Sequence, residues 1–281
     1  MVIKPLFKYY KNGSSFDIKA ASLYSVALHA DQNSYTIGIS NPKTGLLVGL
    51  EKYEVHTIQG LESDSFFDSE YIKNILSHAS QTTLYSTISK FTLIPSLFFD
   101  QNKIDELHLN VFELNIDESI QSRFIPEIDS YILFPIKSAL KSKLQTKIGH
   151  IDFHHHFASL ISTYHLYYAT ENDNSAFIQM HSNSFSLCLF EGKKMILFNS
   201  FDFKTPEDII YYTYYSIEQF NFSPAETLIH IGGSYDRKPE VISTLQRFSS
   251  KIFNLKPDEL KQTNDQTSDA LINTIFDLQC G

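Results

Sequence analysis

Apolar and polar residues alternate along two separate stretches of this chain in the same way. Residues 30–40 read Ala-Asp-Gln-Asn-Ser-Tyr-Thr-Ile-Gly-Ile-Ser, and residues 180–190 read Met-His-Ser-Asn-Ser-Phe-Ser-Leu-Cys-Leu-Phe. Asn33 matches Asn183, Ser34 matches Ser184, Tyr35 matches Phe185, Ile37 matches Leu187, and Ile39 matches Leu189. An apolar run precedes each block (Leu23 to Leu28; Ala176 to Met180) and another follows it (Leu46 to Leu50; Met195 to Phe198). Alternation with period two is the mark of a strand that buries one face. Asn and Ser suit the intervening turn, because their side chains bond nearby backbone and Asn tolerates positive φ. Each block therefore predicts a three-stranded meander. A period this long is not a solenoid repeat; it points to one domain present as two similar lobes.

The rest of the chain predicts helices and strands that pack on those meanders. Ile72, Ile75, Leu76 and Ala79 keep a helical period after Ser69. Thr83 to Ser89 and Phe91 to Pro95 read as extended, with a helix near Gln101–Leu109. Ser119–Pro126 and Ser130–Phe134 read as a hairpin around Glu127-Ile128-Asp129. Pro135–Leu144 reads as a helix, Lys147–Phe153 as a strand, and Phe157–Tyr168 as a helix with Phe157, Leu160, Ile161, Tyr164 and Tyr168 on one face. Thr205-Pro206-Glu207-Asp208 has the cap, the pre-set first residue and the acids of a helix start. Ile209, Tyr212, Thr213, Ser216, Ile217 and Phe220 form its inward stripe. Thr227 to Ile231 is a strand running into Gly232-Gly233-Ser234. A helix at Pro239–Ser249 and a strand at Lys251–Leu255 follow. Turns are expected at Asn12–Ser15 and a polar loop at Gln59–Ser65. Ser268 to Leu278 has a helical stripe that needs a surface to pack on. The polar segment 170–175 divides the chain. We expect a first lobe with its connecting helix over 1–168, a second over 175–255, and a tail with a terminal helix over 256–281.

Composition narrows the class. The chain has 281 residues, 42% hydrophobic and 20% charged, which suits a protein with a sizeable core. No apolar run approaches the ~20 residues of a membrane helix, and the first residues lack the apolar core of a signal peptide. Two cysteines, Cys188 and Cys280, make neither a disulfide framework nor a zinc finger. A cytoplasmic location is expected. The net charge of −9 argues against nucleic acid as a partner, since binding it needs a cationic face. Sixteen tyrosines and 23 phenylalanines without a tryptophan leave aromatic surface for protein partners.

Asn199-Ser200-Phe201-Asp202-Phe203-Lys204-Thr205-Pro206-Glu207-Asp208-Ile209-Ile210-Tyr211-Tyr212, then Ile231-Gly232-Gly233-Ser234, with the paired meanders, resemble a bacterial family called domain of unknown function 3822. More widely, the pattern from Leu23 to Leu255 resembles the actin, sugar kinase and Hsp70 superfamily. That resemblance implies an α/β fold, actin-like and ribonuclease H-like, with two similar lobes of mixed sheet and flanking helices. It also implies three nucleotide motifs. The first phosphate loop wants Asp-x-Gly; Asp31 keeps the acid that holds magnesium, and Asn33 replaces the glycine. The second wants the same, and His181-Ser182-Asn183 has lost its acid. The adenosine motif wants Gly-Gly, matched by Gly232 and Gly233 with Ser234 next.

Each of these residues has a second reading. Asp31 also fits a solvated turn acid, and Gly232-Gly233 a tight turn that needs positive φ. Ser182 and Ser184 have no adjacent base, so nucleophilic catalysis is not indicated. His150, Asp152 and His154 would share a face on a strand, but a strand end entering a helix, with its histidines as partly exposed polar residues, is the competing reading of the 150–156 tract. His29, Asp31, His181 and His230 sit at strand ends that the implied fold turns toward a cleft, where they could hold a cation or an anion. Tyr211 and Tyr215 share the open side of their helix, as an interface anchor or as packing under a loop. The leading functional expectation is a catalytically degenerate protein-binding scaffold or regulator, with no catalytic residue, metal or cofactor. A nucleotide-binding module or weak phosphotransferase using Mg-ATP is the alternative, and a homo-oligomer is compatible with either.

Overall fold

The structure, a computed structural model, describes residues 4–11, 16–30, 34–54, 65–109, 111–181, 183–233 and 235–255. The turn at Asn12–Ser15, most of the loop at Gln59–Ser65, Asp31, Asn33, Ser182, Ser234 and the terminal helix at Ser268–Leu278 lie outside those residues. The described residues fall into two compact units, one ending at Leu160 and the other starting at Ile161. No helix among them is long and apolar enough to cross a membrane.

In the first unit, β1 (Phe7–Tyr10), β2 (Ser25–Ala30), β3 (Ser34–Ser40) and β4 (Leu47–Glu54) precede α1 (Ser65–Asp68) and α2 (Glu70–His78). Next come β5 (Gln81–Ser86), β6 (Thr92–Pro95), α3 (Ile104–Leu109), β7 (Glu118–Ile125), β8 (Ser130–Lys137), α4 (Ser138–Ile148) and β9 (Asp152–His155). The helix α5 (His156–Thr163) carries the unit border. The main sheet has the order β1-β4-β3-β2-β5-β9, and a smaller sheet has the order β6-β8-β7. Strands β2, β3 and β4 pair antiparallel, while β5 runs parallel to both β2 and β9.

The second unit contains β10 (Asn174–Met180), β11 (Ser184–Glu191), β12 (Lys194–Asp202), α6 (Pro206–Gln219), β13 (Leu228–Gly233), α7 (Lys238–Leu245) and β14 (Ile252–Asn254). Its order is β12-β11-β10-β13-β14. Strand for strand this repeats β4-β3-β2-β5-β9, with the same antiparallel meander and the same two parallel neighbours. The matched turn blocks supply matched core residues. Tyr35, Ile37 and Ile39 lie in the first core with Ile72, Ile75, Leu76, Leu140 and Leu144. Phe185, Leu187 and Leu189 lie in the second with Ile209, Ile217, Val241 and Leu245. Burying each such side chain contributes about 1.5–3 kcal/mol, so one alternating pattern specifies both sheets.

Several boundaries differ from expectation. Pro135 and Ile136 belong to β8, not to a helix. A proline fits this central strand because β6 pairs with β8 only from Ser130 to Leu133, leaving β8 open on that side at Pro135. Lys147 and Ile148 finish α4, which ends where Gly149 turns to φ 91° and donates its N–H to Gln145 O (3.0 Å). The strand therefore starts only at Asp152. At the end of α6, Asn221 takes φ 58°, and Phe222 enters the core in place of Phe220, which is exposed. The start of α6 is as the sequence indicates. Asp208 accepts from the backbone N–H groups of Lys204 (2.9 Å) and Thr205 (3.0 Å), and these bonds hold its carboxyl below the ordinary carboxylate range.

Candidate functional site

The second unit gathers most of the described motif residues at one end of its sheet. β10 and β13 are parallel neighbours, with Gln179 opposite Gly232 and Met180 opposite Gly233. The chain leaves β10 at His181, whose N–H donates to Ser184 O (2.8 Å), and Asn183 O accepts from Phe203 N–H (3.1 Å). His181, Asn183, Gly232 and Gly233 thus share the carboxyl ends of two parallel strands, the usual ligand edge of an open α/β sheet.

The glycines have a reason to be there that requires no ligand. A Cβ on Gly232 would fall 2.2 Å from Gln179 Oε1, and one on Gly233 would fall 2.0 Å from Met180 O. Gly233 also has φ +85°, a conformation that side chains disfavour. The pair lets β13 run tight against β10 and turn out of the sheet. Beyond the turn, the buried Lys238 at the head of α7 donates from Nζ to Gly233 O (3.3 Å). Lys238 is a cation beside this turn that no local sequence pattern singles out.

His230 lies one row below the glycines. Its ring is stacked between Phe177 (4.8 Å) on β10 and Phe253 (5.3 Å) on β14, with Tyr168 edge-on (5.7 Å). Its Nε2 has no hydrogen-bond partner among the described residues. Burial disfavours the imidazolium and lowers the pKa from 6.5 to about 4. The folded form therefore prefers neutral His230. Its contribution is complete above pH 6.5 and is lost as pH falls toward 4, by up to about 3 kcal/mol. Urea denaturation at about pH 7 and about pH 4.5 should show this loss in the native protein and a smaller one in His230→Phe. An equal loss in both would assign the acid sensitivity elsewhere.

Four histidines of the first unit, His29, His154, His155 and His156, are core residues. His29, at the end of β2, is buried and edge-on to His156 (4.9 Å). His154 is buried against Tyr85 (5.4 Å). His155 is fully buried; its Nδ1 accepts from Phe157 N–H (3.1 Å), so Nε2 carries the proton that it donates to Ile88 O (2.8 Å). The tract is, as expected, a strand end entering a helix, but of its histidines only His150 is an exposed polar residue, 86% exposed with Asp152 3.6 Å away. His154, His155 and His156 turn inward because β9 passes into α5 with no intervening loop. Among the described residues, no three His, Cys, Asp or Glu side chains are grouped to hold a metal ion. Cys188 is buried, which pushes its thiol pKa well up.

Sequence reasoning overlooked a buried carboxylate. Glu51 on β4 is fully buried. It accepts hydrogen bonds from the hydroxyls of Tyr10, Tyr53 and Tyr71 (2.6 Å for Tyr71), and Lys8 Nζ lies 3.1 Å away. Lys8 also sits over the Tyr71 ring (5.0 Å). The available signal was Glu51 falling on the same strand face as Tyr53, opposite Ile37 of β3, where an apolar residue is due. The cluster joins β1, β4 and α2.

On α6, Tyr212 stacks on Phe201 of β12 (4.9 Å). Tyr211 and Tyr215 stack on each other (5.8 Å) and stay 61% and 51% exposed.

Two sheets of one order, each a meander extended by two parallel strands and flanked by helices, define the actin-like ATPase fold. Known structures place the chain in that class. A protein of unknown function with this fold from Bacteroides thetaiotaomicron VPI-5482 superposes with a TM-score of 0.81 at 19% identity, over 95% of this chain and 100% of that one. The PilM–PilN type IV pilus biogenesis complex follows at a TM-score of 0.55 and 10% identity, over 92% and 98%. Residues 13–252 match the family model described as "Protein of unknown function (DUF3822)", and the chain belongs to that family. No curated protein matches it.

Proposed function

We propose that this protein is a degenerate member of its fold class that works by binding another protein, as a scaffold or regulator, without efficient ATP hydrolysis. The observation that carries this reading is the closure of the glycine pair. Gln179 Oε1 and the Met180 backbone take the space beside Gly232 and Gly233 that side chains would otherwise fill, so the pair serves strand packing. The surrounding residues agree. His181 stands where the second acid is required, and Asn183 and Asn33 stand where glycines let backbone N–H groups close on phosphate. The exposed Tyr211–Tyr215 stack is suited to anchoring a protein surface. PilM, a neighbour in fold, is seen in complex with PilN, an instance of this fold engaging a protein.

The expected result is phosphate release from Mg-ATP no faster for the native chain than for Asp31→Ala, and no rise in melting temperature at millimolar Mg-ATP. A site with a Kd of about 10 μM would add about 2.7 kcal/mol at 1 mM ligand, so binding of that strength could not be missed. Turnover that depends on Asp31, or a clear thermal shift, would instead establish the nucleotide-binding reading. The observation favouring that alternative is the Lys238 ammonium beside Gly233 O.

A further inference from the structure

The small sheet β6-β8-β7 carries an apolar surface of its own. Ile94, Tyr131 and Phe124 lie opposite one another across its three strands. Phe99 stacks on Tyr131 (3.6 Å), and Phe124 packs against the same ring (5.0 Å). Phe99 follows a tight helical turn, Ser96–Phe98, whose two large side chains, Leu97 and Phe98, are 84% and 67% exposed. Phe124 is exposed as well. The turn is held at both ends. Ser96 N–H donates to Asp129 O (2.9 Å) in the β7–β8 hairpin, and Phe99 N–H donates to Ser96 O (3.2 Å). The Asp100 carboxylate then accepts from Asn102 N–H (2.9 Å). Scattered exposed apolar side chains are ordinary. Two in succession on a fixed turn, beside an aromatic row, form the kind of patch that marks an interface. A pinned backbone also lowers the ordering cost of binding there.

We propose that this face of the small sheet binds a basic amphipathic segment of a protein partner, whose apolar side lies on Leu97, Phe98 and Phe124. Charge selects this occupant. Residues 96–130 carry eight acidic side chains and two basic ones, an excess of six out of the whole chain's nine. Asp129 in the hairpin is exposed, as are Asp105 and Glu106 on α3, which packs on β7 and β8. Asp100, next to Phe99, is half-buried. Lysine or arginine on the partner would meet these carboxylates and the open ring faces of Phe98 and Phe124. Nucleic acid or an anionic membrane would be repelled. A second copy in isologous contact would set the same acidic rim against itself. The proposal rests on the protein-binding reading and narrows its partner class.

The probe is a helical peptide of about 18 residues, leucine on one side and lysine on the other, titrated into the full chain and read by fluorescence anisotropy. A peptide with glutamate in place of every lysine is the comparison. The lysine peptide should bind with a Kd of about 10–100 μM, and the glutamate peptide at least about tenfold more weakly. Hydrogen exchange should slow on binding at residues 96–99 and 118–131. Phe98→Ser should weaken binding about tenfold or more, and so should Asp105→Asn combined with Glu106→Gln. Glu171→Gln combined with Glu191→Gln removes two exposed acids of the second unit and should change binding less than about twofold. Circular dichroism identifies a variant that has unfolded; if Phe98→Ser does, the two carboxylate pairs decide. Absence of binding, equal binding of the glutamate peptide, or equal effects of the two carboxylate pairs would overturn the proposal. Protection confined to the Tyr211–Tyr215 helix would overturn it too, while leaving the protein-binding reading in place. Mg-ATP turnover that depends on Asp31 would count against that reading and leave the peptide result as it stands.

Discussion

Gly233→Ala should destabilise the protein by about 3–5 kcal/mol, the sum of a left-handed backbone that resists a side chain and an overpacked contact. The added methyl would meet Met180 O at 2.0 Å and Met180 N at 2.5 Å. Both are backbone atoms of the neighbouring strand, so relief requires β10 and β13 to separate. Gly45→Ala is the control. Gly45 also has positive φ (+67°), but no atom lies within 4 Å of the place its Cβ would occupy, so only the conformational cost of about 1 kcal/mol remains. Chemical denaturation of both variants measures the difference. Equal losses would mean that backbone conformation alone, and not the approach of β10, requires glycine at 233. The outcome also bears on function, because a glycine fixed by a neighbouring strand is not evidence for an adenine site.

Glu51→Ala should cost about 3–5 kcal/mol, the range for breaking a buried charged pair from one side. Three tyrosine hydroxyls aimed at the carboxylate lose their acceptor together. Tyr71→Phe removes one donor of the three and should cost about 1 kcal/mol. The loss should be local as well as global. Lys8 and Tyr10 tie β1 to this site, so hydrogen exchange at Phe7–Tyr10 should accelerate in Glu51→Ala more than exchange at β2 or β3. Uniform acceleration across the sheet would show that β1 is held by its ladder alone. Burial, reinforced by Glu51, raises the phenol pKa values of Tyr53 and Tyr71 well above 10.0. Their contribution is complete below that value and is lost as pH rises beyond it.

What could be read from the sequence follows from how local each signal is. The meanders were legible because Tyr35, Ile37 and Ile39, like Phe185, Leu187 and Leu189, are spaced by the pleat itself and need no distant partner to be recognised. The start of α6 was legible because Thr205, Pro206 and Asp208 act on backbone within a few residues. Pro135 misled because its place in β8 depends on where β6 stops pairing, which sequence does not reveal. The cluster around Glu51 stayed hidden for the same reason: its donors come from three elements far apart in the chain. At the candidate site, the residue types of the glycine pair and of His181–Asn183 were legible. The packing of Gln179 and Met180 beside the glycines was not, since it depends on the parallel register of β10 with β13.

The joint between β12 and α6 has a consequence for how the second unit acquires its structure. Only Phe203, Lys204 and Thr205 separate strand from helix, and the Asp208 carboxylate ties two of their amides to the first helical turn. Closing so short a segment sacrifices little chain entropy, and contacts that are near in sequence form quickly. Strand and helix should therefore reach their mutual arrangement early in folding, before β13 arrives to complete the parallel pair with β10. The stretch Asn199 to Tyr212 would then be a kinetic instruction as much as a thermodynamic one.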